Sequence, residues 1–442
     1  MQLLEQRDYQ KLRSILSDMY AADIAAVLEE LPENKLPIVF RILPKELASE
    51  TFAYFDTDIQ EVLIRAFSDT ELEEVINQLY LDDTVDMIEE MPANIVRRIL
   101  DHTTPEMRLE INQILKYPKD SAGSIMTTEY VALKPDMTVS EAFTRIRRTA
   151  IDKETVYTCY VIANDRTLIG VVTVKDLLMH EYENQIKDIM ETNVIFVNTH
   201  EDKEIVAKAF ERYDFLALPV VDRENRLVGI VTIDDAVDVL QDEATEDIEM
   251  MAAITPTDKP YLKTGVFETW RKRIPWLLLL MISATFTGSI IQHYEDALGK
   301  YIILSSFIPM LMDTGGNAGG QSSVTIIRGL SLGEIEMRDI LRIIWKEMRV
   351  AVMCGLTLSV TVFFKILFID RPPEQPITIA LIVSGTMALA VVVAKIVGCS
   401  LPVLAKRIGF DPAVMASPFI TTIVDAVSLM IYFGIVSNVM AL

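Results

Sequence analysis

From Pro275 onward the chain carries apolar stretches that constrain its fold more than any other feature. Residues 275–294, PWLLLLMISATFTGSIIQHY, contain no Asp, Glu, Lys or Arg and reach the ~20 apolar residues that a bilayer crossing requires. Similar stretches run over roughly 301–327, 350–369, 377–405 and 413–440, so the pattern predicts five spans. Basic residues alternate between the connections. Eleven lie on one side (Lys263, Arg271, Lys272, Arg273, Arg328, Arg338, Arg342, Lys346, Arg349, Lys406 and Arg407), and only Lys300 and Arg371 on the other. Positive charge marks the cytoplasmic side. The expectation is a multi-pass protein of the cell (inner or plasma) membrane, with lipids as partners, a cytoplasmic N-terminus and an external C-terminus. Buried helices of a large soluble core would not produce that alternation. The opening MQLLEQRDYQ lacks the charged-then-apolar pattern of a signal peptide, so the front half is expected in the cytoplasm.

The charge is as uneven as the hydropathy. Of 41 basic and 64 acidic residues, 26 and 52 precede Lys263. So acidic a front half repels phosphates; it disfavours nucleic acid as a partner and favours cations. Cys159, Cys354 and Cys399 form no CxxC pair, and the four histidines (His102, His180, His200, His293) are scattered. A disulfide framework and a zinc site are both disfavoured.

Two repeat systems fill the front half. Residues 1–118 show apolar residues at three- and four-residue spacing, broken by Pro32, Pro37, Pro44, Pro92 and Pro105. The segment from Asp23 to Pro32 resembles that from Asp83 to Pro92, which suggests stacked helical hairpins. Asp82, Asp83, Asp86, Glu89 and Glu90 crowd the second copy. Asp82 and Asp86 share a helix face and repel unless a cation lies between them; a merely solvated acidic face is the competing reading. Residues 125–240 hold a clearer duplication. Ile125-Met126-Thr127 matches Ile189-Met190-Glu191, and Gly170-VVTVK-Asp176 matches Gly229-IVTID-Asp235. Each copy reads β-α-β-β-α, with short strands at Tyr130–Leu133 and Val194–Val197 and helices at Val139–Thr149 and Glu204–Tyr213. This unit resembles a tandem pair of CBS domains. In such pairs the Thr and Asp often hold an adenosine ribose, which implies nucleotide near Thr173 and Asp176; a purely structural role stands beside that reading.

Between the repeats and the first span lies the most acidic segment. Eight carboxylates fall within the sixteen residues from Asp234 to Glu249, with no basic residue between. On a helix Asp235, Asp238, Asp242 and Glu246 share a side, flanked by Glu243 and Asp247. Asp202, Glu204, Glu211 and Asp214 of the second CBS repeat are expected nearby. Packing such surfaces together costs several kcal/mol in aggregate at an effective dielectric of ~20, a cost that oxygen-seeking Mg²⁺ or Ca²⁺ removes.

Two features stand out within the spans. Asp425 lies about midway along the last one, where a carboxylate costs at least ~2.5–3.5 kcal/mol and normally faces a wet pathway. The run Asp313-TGGNAGGQSS interrupts the second span. Its glycines, Gly316 and Gly320 among them, are expected to break the helix and expose backbone carbonyls, with Asp313, Asn317, Gln321, Ser322 and Ser323 adding oxygen groups suited to a hydrated ion. Glycines serving close helix packing are the alternative.

Taken together, these pieces resemble the MgtE family of magnesium channels over essentially the whole chain. EATEDI (Glu243–Ile248), the TGGNAG run and the Asp425 span carry the likeness most specifically. The resemblance implies a multi-domain membrane protein. Its parts are an all-α superhelical N-domain (1–120), α/β tandem CBS domains (121–187 and 188–240), an acidic connecting plug helix (241–270) and an all-α five-helix transmembrane domain (271–442). It implies no enzyme but a homodimer that takes up Mg²⁺ through a pore in which Asp425 binds the ion; the polar run itself adds Asp313, Gly316, Asn317, Gly320 and Gln321 to the pore lining. The resemblance further implies that cytosolic Mg²⁺ closes that pore by binding Asp82, Asp86, Asp202, Glu204, Asp214, Asp235, Asp238, Glu243, Glu246 and Asp247, to which the charge pattern adds Glu211. ATP at the CBS pair is implied as a modulator. Two positions depart from the pattern. Gly320 stands where the family run GGNxGNQS has Asn, and Asp313 stands where a relative has Gly. A broader divalent transporter for Mn²⁺ or Co²⁺, an anion channel, a membrane-tethered enzyme and a non-conducting cation sensor are the rival readings. The sequence offers no nucleophile–base pair, P-loop or His cluster for the enzyme.

Overall fold

The computed structural model describes residues 2–150, 153–257, 261–415 and 417–440. It divides into two compact units, Met1–Gln241 and Asp242–Leu442.

The first unit begins with short helices. Ten lie between Gln2 and Ile114, several of them started by a proline or a capping side chain. Pro44 and Pro92 stand at the N-caps of Lys45–Ala53 and Ala93–Asp101. Ser68 and Glu71 form a reciprocal capping box, which satisfies donors that a helix start leaves open. The internal repeat emerges as the matching helices Ala21–Glu29 and Leu81–Glu90, the latter here called α1. One apolar core runs from Leu16 through these hairpins to Val206, Phe210, Leu218 and Ala236 of the second CBS repeat.

Each CBS repeat forms a three-stranded sheet. In the first, β1 (Val131–Leu133) is parallel to β2 (Thr158–Ile162), which is antiparallel to β3 (Leu168–Thr173), with α2 (Val139–Thr149) and α3 (Val174–Met179) alongside. In the second, β4 (Val197–Asn198), β5 (Ala217–Val221) and β6 (Leu227–Thr232) repeat the order, with α4 (Lys203–Tyr213) and α5 (Ile233–Met251). The repeats are joined by exchange. Thr127 bridges to Ile230 in the other half, and Glu191 to Val171. A Cβ on Gly229 would sit 2.7 Å from Met126 Sδ, and one on Gly170 would sit 2.6 Å from Met190 Sδ. The repeated glycine is therefore the seat for the other copy's repeated methionine, which is why both motifs recur together.

Five long helices dominate the second unit: α6 (Val266–His293), α7 (Ile308–Ser331), α8 (Ile340–Lys365), α9 (Pro376–Arg407) and α10 (Ser417–Val439). Among the described residues, four helical stretches are long and apolar enough to cross a membrane, namely those of α6, α8 with its flanks (Met337–Asp370), α9, and Pro418–Val439. The fifth, α7, has the length but carries the polar run. That run does not break it. Helix α7 is continuous through Asp313-TGGNAGGQSS, which corrects the expected interruption. Its glycines are consumed by packing, which leaves its carbonyls in the helix ladder. α9 packs against α7, α8 and α10, while α6 touches α10. Over half of the apolar window of α9 is buried, against 6% for α6, so α6 presents nearly its whole apolar surface outward.

Candidate functional site

In the first unit the acidic residues converge. Helix α1 starts at Leu81 and sets Asp82 inward, only 7% exposed. Burial pushes its carboxyl well above the usual range, and the charges of Asp235, Glu154 and Asp83 push it further. Asp235, in the first turn of α5, is raised to about 7 by burial and by Asp234, Asp86 and Asp83, against the lowering effect of the Thr232 hydroxyl, which donates to it at 2.8 Å. Asp83 rises to about 6 through burial and then Asp234. Asp86 rises to about 7 through the protein packed around it, then Glu89, Asp83, Glu90 and Asp238; its remaining exposure damps that shift, so Asp82 and Asp235 form the core of the cluster. Asp238 is raised by burial and by Asp234.

Two carboxylates not singled out in the sequence complete this cluster. Glu154 is raised to about 8 by burial, Asp234, Glu129, Asp83 and Asp235, and its Oε2 is buried without a hydrogen-bond partner. Glu129 rises to about 6 chiefly by burial, while the Leu81 backbone N–H, Lys153 and Thr127 pull it down. Both sit in loops outside any charge run, and only the fold brings Glu129 beside α1. Among the described residues, no three His, Cys, Asp or Glu side chains are arranged to hold a metal ion directly. An ion among these carboxylates would therefore bridge pairs or keep its water shell, as Mg²⁺ commonly does.

The other expected acidic residues do not join this cluster. Asp202 caps α4, accepting the Glu204 N–H at 2.8 Å, and Glu204 pairs with Lys208. Asp214 closes the far end of α4 in the left-handed region, at φ 55°. Glu211 is exposed on the last turn of α4. An 11-residue helix is roughly 16 Å long, so the four residues occupy two separate ends. Thr173 and Asp176 form a capping box, each side chain bonding the other residue's backbone N–H. Both side chains thus have a structural use, repeated at Thr232 and Asp235.

In the second unit the acidic end of α5 packs within its own body. Asp247 accepts from the Ser331 hydroxyl at 3.3 Å, and Met250 and Met251 lie against Ile327 and Ala413. Glu243 and Glu246 are half-buried on the same helix. Helix α7 presents two contrasting faces. Gly315, Gly316, Gly319, Gly320 and Ser322 are buried, whereas Asp313, Asn317 and Gln321 are exposed and fall four residues apart on one stripe. Gly316 meets Thr421 of α10 at a Cβ distance of 2.9 Å, and Gly315 meets Ser428 and Val424 at 3.1 Å. Gly316 and Gly320, also expected to line the pore, are buried and lie off the polar stripe, Gly316 against α10. Asp425, on α10, is partly buried. Its Oδ1 has no hydrogen-bond partner, and its charge interacts with that of Asp313.

A model of the MgtE intracellular N domain matches residues 19–120, CBS domain models match 122–183 and 186–242, and an MgtE divalent cation transporter model matches 308–435. The chain is 37% identical over 436 residues to the magnesium transporter MgtE of Thermus thermophilus, covering 98% of this chain and 96% of that protein. It is 32% identical over 437 residues to the magnesium transporter MgtE of Bacillus subtilis, covering 98% and 95%. A crystal structure of the cytosolic domain of the Mg²⁺ channel MgtE in complex with ATP is 36% identical, with a TM-score of 0.52 over 54% of this chain and 97% of that one.

Proposed function

The chain belongs to the MgtE family of divalent cation transporters, and from that premise we propose that it takes up Mg²⁺ and is closed by cytosolic Mg²⁺ acting on its acidic first unit. It is an integral membrane protein and not an enzyme. The observation that carries the transport reading is Asp425. A carboxylate with an unpartnered buried oxygen, set in the last apolar helix of a chain aligned nearly end to end with magnesium transporters, needs water or a cation as its partner. The polar stripe Asp313, Asn317 and Gln321 on α7 would continue the path, its oxygens meeting an ion that keeps part of its hydration shell.

Gating follows from the crowded carboxylates. Asp82, Asp83, Asp86, Asp235, Asp238 and Glu154 sit together at a cost when charged, and a divalent cation removes that cost. A compact state that binds several ions gains population over a looser one in proportion to its differential affinity. Glu243, Glu246 and Asp247 on α5 would couple that compaction to the pore. Asp202, Glu204, Glu211 and Asp214 would take ions at the two ends of α4. ATP bound near Thr173 and Asp176 would modulate the response; the ATP complex of the related cytosolic domain supports this reading. The bare α6 surface supports a homodimer and lipid contact, and the basic connections support a cytoplasmic N-terminus with an external C-terminus.

Uptake by proteoliposomes tests the proposal. The wild-type chain should pass Mg²⁺, and Asp425→Ala should abolish flux in a protein that still assembles. Undiminished flux through that variant would refute Asp425 as the pore ligand. Equal passage of Mn²⁺ or Co²⁺ would favour the broader transporter, and no passage of any divalent cation would favour the sensor.

A further inference from the structure

A second set of charged groups lies inside the helical body, away from Asp425. Lys395 of α9 is 5% exposed. Its Nζ donates to Ser322 Oγ of α7 at 3.1 Å and lies 3.7 Å from Glu347 Oε2 of α8. Ser322 Oγ in turn donates to Glu347 Oε2 at 2.6 Å. The three interactions close a ring that joins three helices. Ser322 is 2% exposed, so the ring is dry on its α7 side. The clamp adjoins a close approach of α7 and α9. A Cβ on Gly398 of α9 would sit 2.2 Å from the Gly319 carbonyl, and one on Gly319 would sit 3.1 Å from the Ala394 carbonyl. Small residues bring α7 and α9 together, and the neighbouring lysine pins the rotation at which they meet.

We propose that Lys395, Glu347 and Ser322 are positioning residues that lock the rotation of α7 and so fix which way its polar stripe faces. Ser322 follows Gln321 directly. Adjacent helical residues point ~100° apart, so holding Ser322 toward α8 and α9 turns Gln321, Asn317 and Asp313 to the open side. The lysine and glutamate cancel each other's net charge, which allows a rigid polar contact in an apolar body. A lone ammonium or carboxylate there would be costly; the pair and the hydroxyl satisfy one another. This inference rests on the transport reading above.

Full-length Ser322→Ala, Lys395→Met and the double variant Lys395→Met/Glu347→Gln, compared with wild type in liposomes, test it. Three readouts apply: melting temperature, the Co²⁺ concentration that halves Mg²⁺ uptake, and the thiol-reagent labelling rate of Asn317→Cys against the same chain without that cysteine. Ser322→Ala keeps the ion pair and should melt like wild type, yet shift both Co²⁺ block and Asn317→Cys labelling by about threefold, the factor one interhelical hydrogen bond supplies in a bilayer. Lys395→Met should melt lower because Glu347 is left unpaired. The double variant should recover the melt while keeping the shifted block and labelling. If Ser322→Ala and the double variant label and select as wild type does, the clamp is only structural and the proposal fails. If the wild-type chain passes no Mg²⁺, the transport reading fails, and the labelling rates alone still decide whether the clamp sets the rotation of α7.

Discussion

Among single carboxylates, Asp82 is the most deeply buried of the cluster. Its burial beside Asp235 and Glu154 leaves it charged only at a cost. Asp82→Asn should therefore raise the melting temperature of the metal-free first unit, by about 2 °C or more for a body of this size, and reduce the extra stability that Mg²⁺ confers. A lower melt in chelator would contradict the repulsion. At this scale the sequence was partly legible. Asp82, Asp86, Asp235 and Asp238 stand out because they fall in acidic runs at helical spacing. Glu129 and Glu154 do not, because their loops approach α1 only through tertiary packing. The Thr173–Asp176 pair is the reverse case: the CBS resemblance implied a ribose ligand with a purely structural role as the alternative, and the structure shows the pair capping α3. Thr173→Ala should cost about 1 kcal/mol of stability, read as a lower melt of the first unit.

At the scale of elements, proton binding to the α1–α5 cluster gives a signed expectation. Burial and neighbouring charge push the carboxyls of Asp83, Asp235 and Glu154 up to about 6, 7 and 8 in the folded unit, whereas those of an unfolded chain titrate near ~4. Between those values the folded unit holds protons that the unfolded chain has released. Its stability in chelator should therefore fall as pH rises from about 4 to about 8 and then level off. Mg²⁺ competes with those protons, so its stabilisation should be small at pH ~5 and large at pH ~8. Thermal melts with and without chelator across that range check it; a chelated melt that stays flat or rises would count against the cluster. Helix α7 illustrates the limit of reading elements from sequence. Glycine weakens a helix in isolation by roughly 1 kcal/mol each, which predicted a break. Contacts with α9 and α10 close enough to exclude a Cβ outweigh that propensity, and the helix runs through. Gly398→Ala should accordingly destabilise the helical body by roughly 1–3 kcal/mol, seen as reduced yield and a lower melt in detergent.

For the molecule as a whole, the architecture was legible because it rests on periodicities that survive without tertiary knowledge. The CBS duplication follows from repeated motifs whose methionine and glycine seat one another. The membrane region follows from apolar length. Less legible was which acidic residues meet, since α4 separates its own four carboxylates to opposite ends while α1 and α5 gather theirs. The proposed Mg²⁺ sensor is where α1 meets α5. Flux through reconstituted wild-type protein and an Asp82→Asn/Asp235→Asn variant, measured while Mg²⁺ on the cytoplasmic side is raised to millimolar levels, tests that placement most directly. Wild-type flux should fall steeply and the variant should keep conducting; equal closure of the two would contradict it.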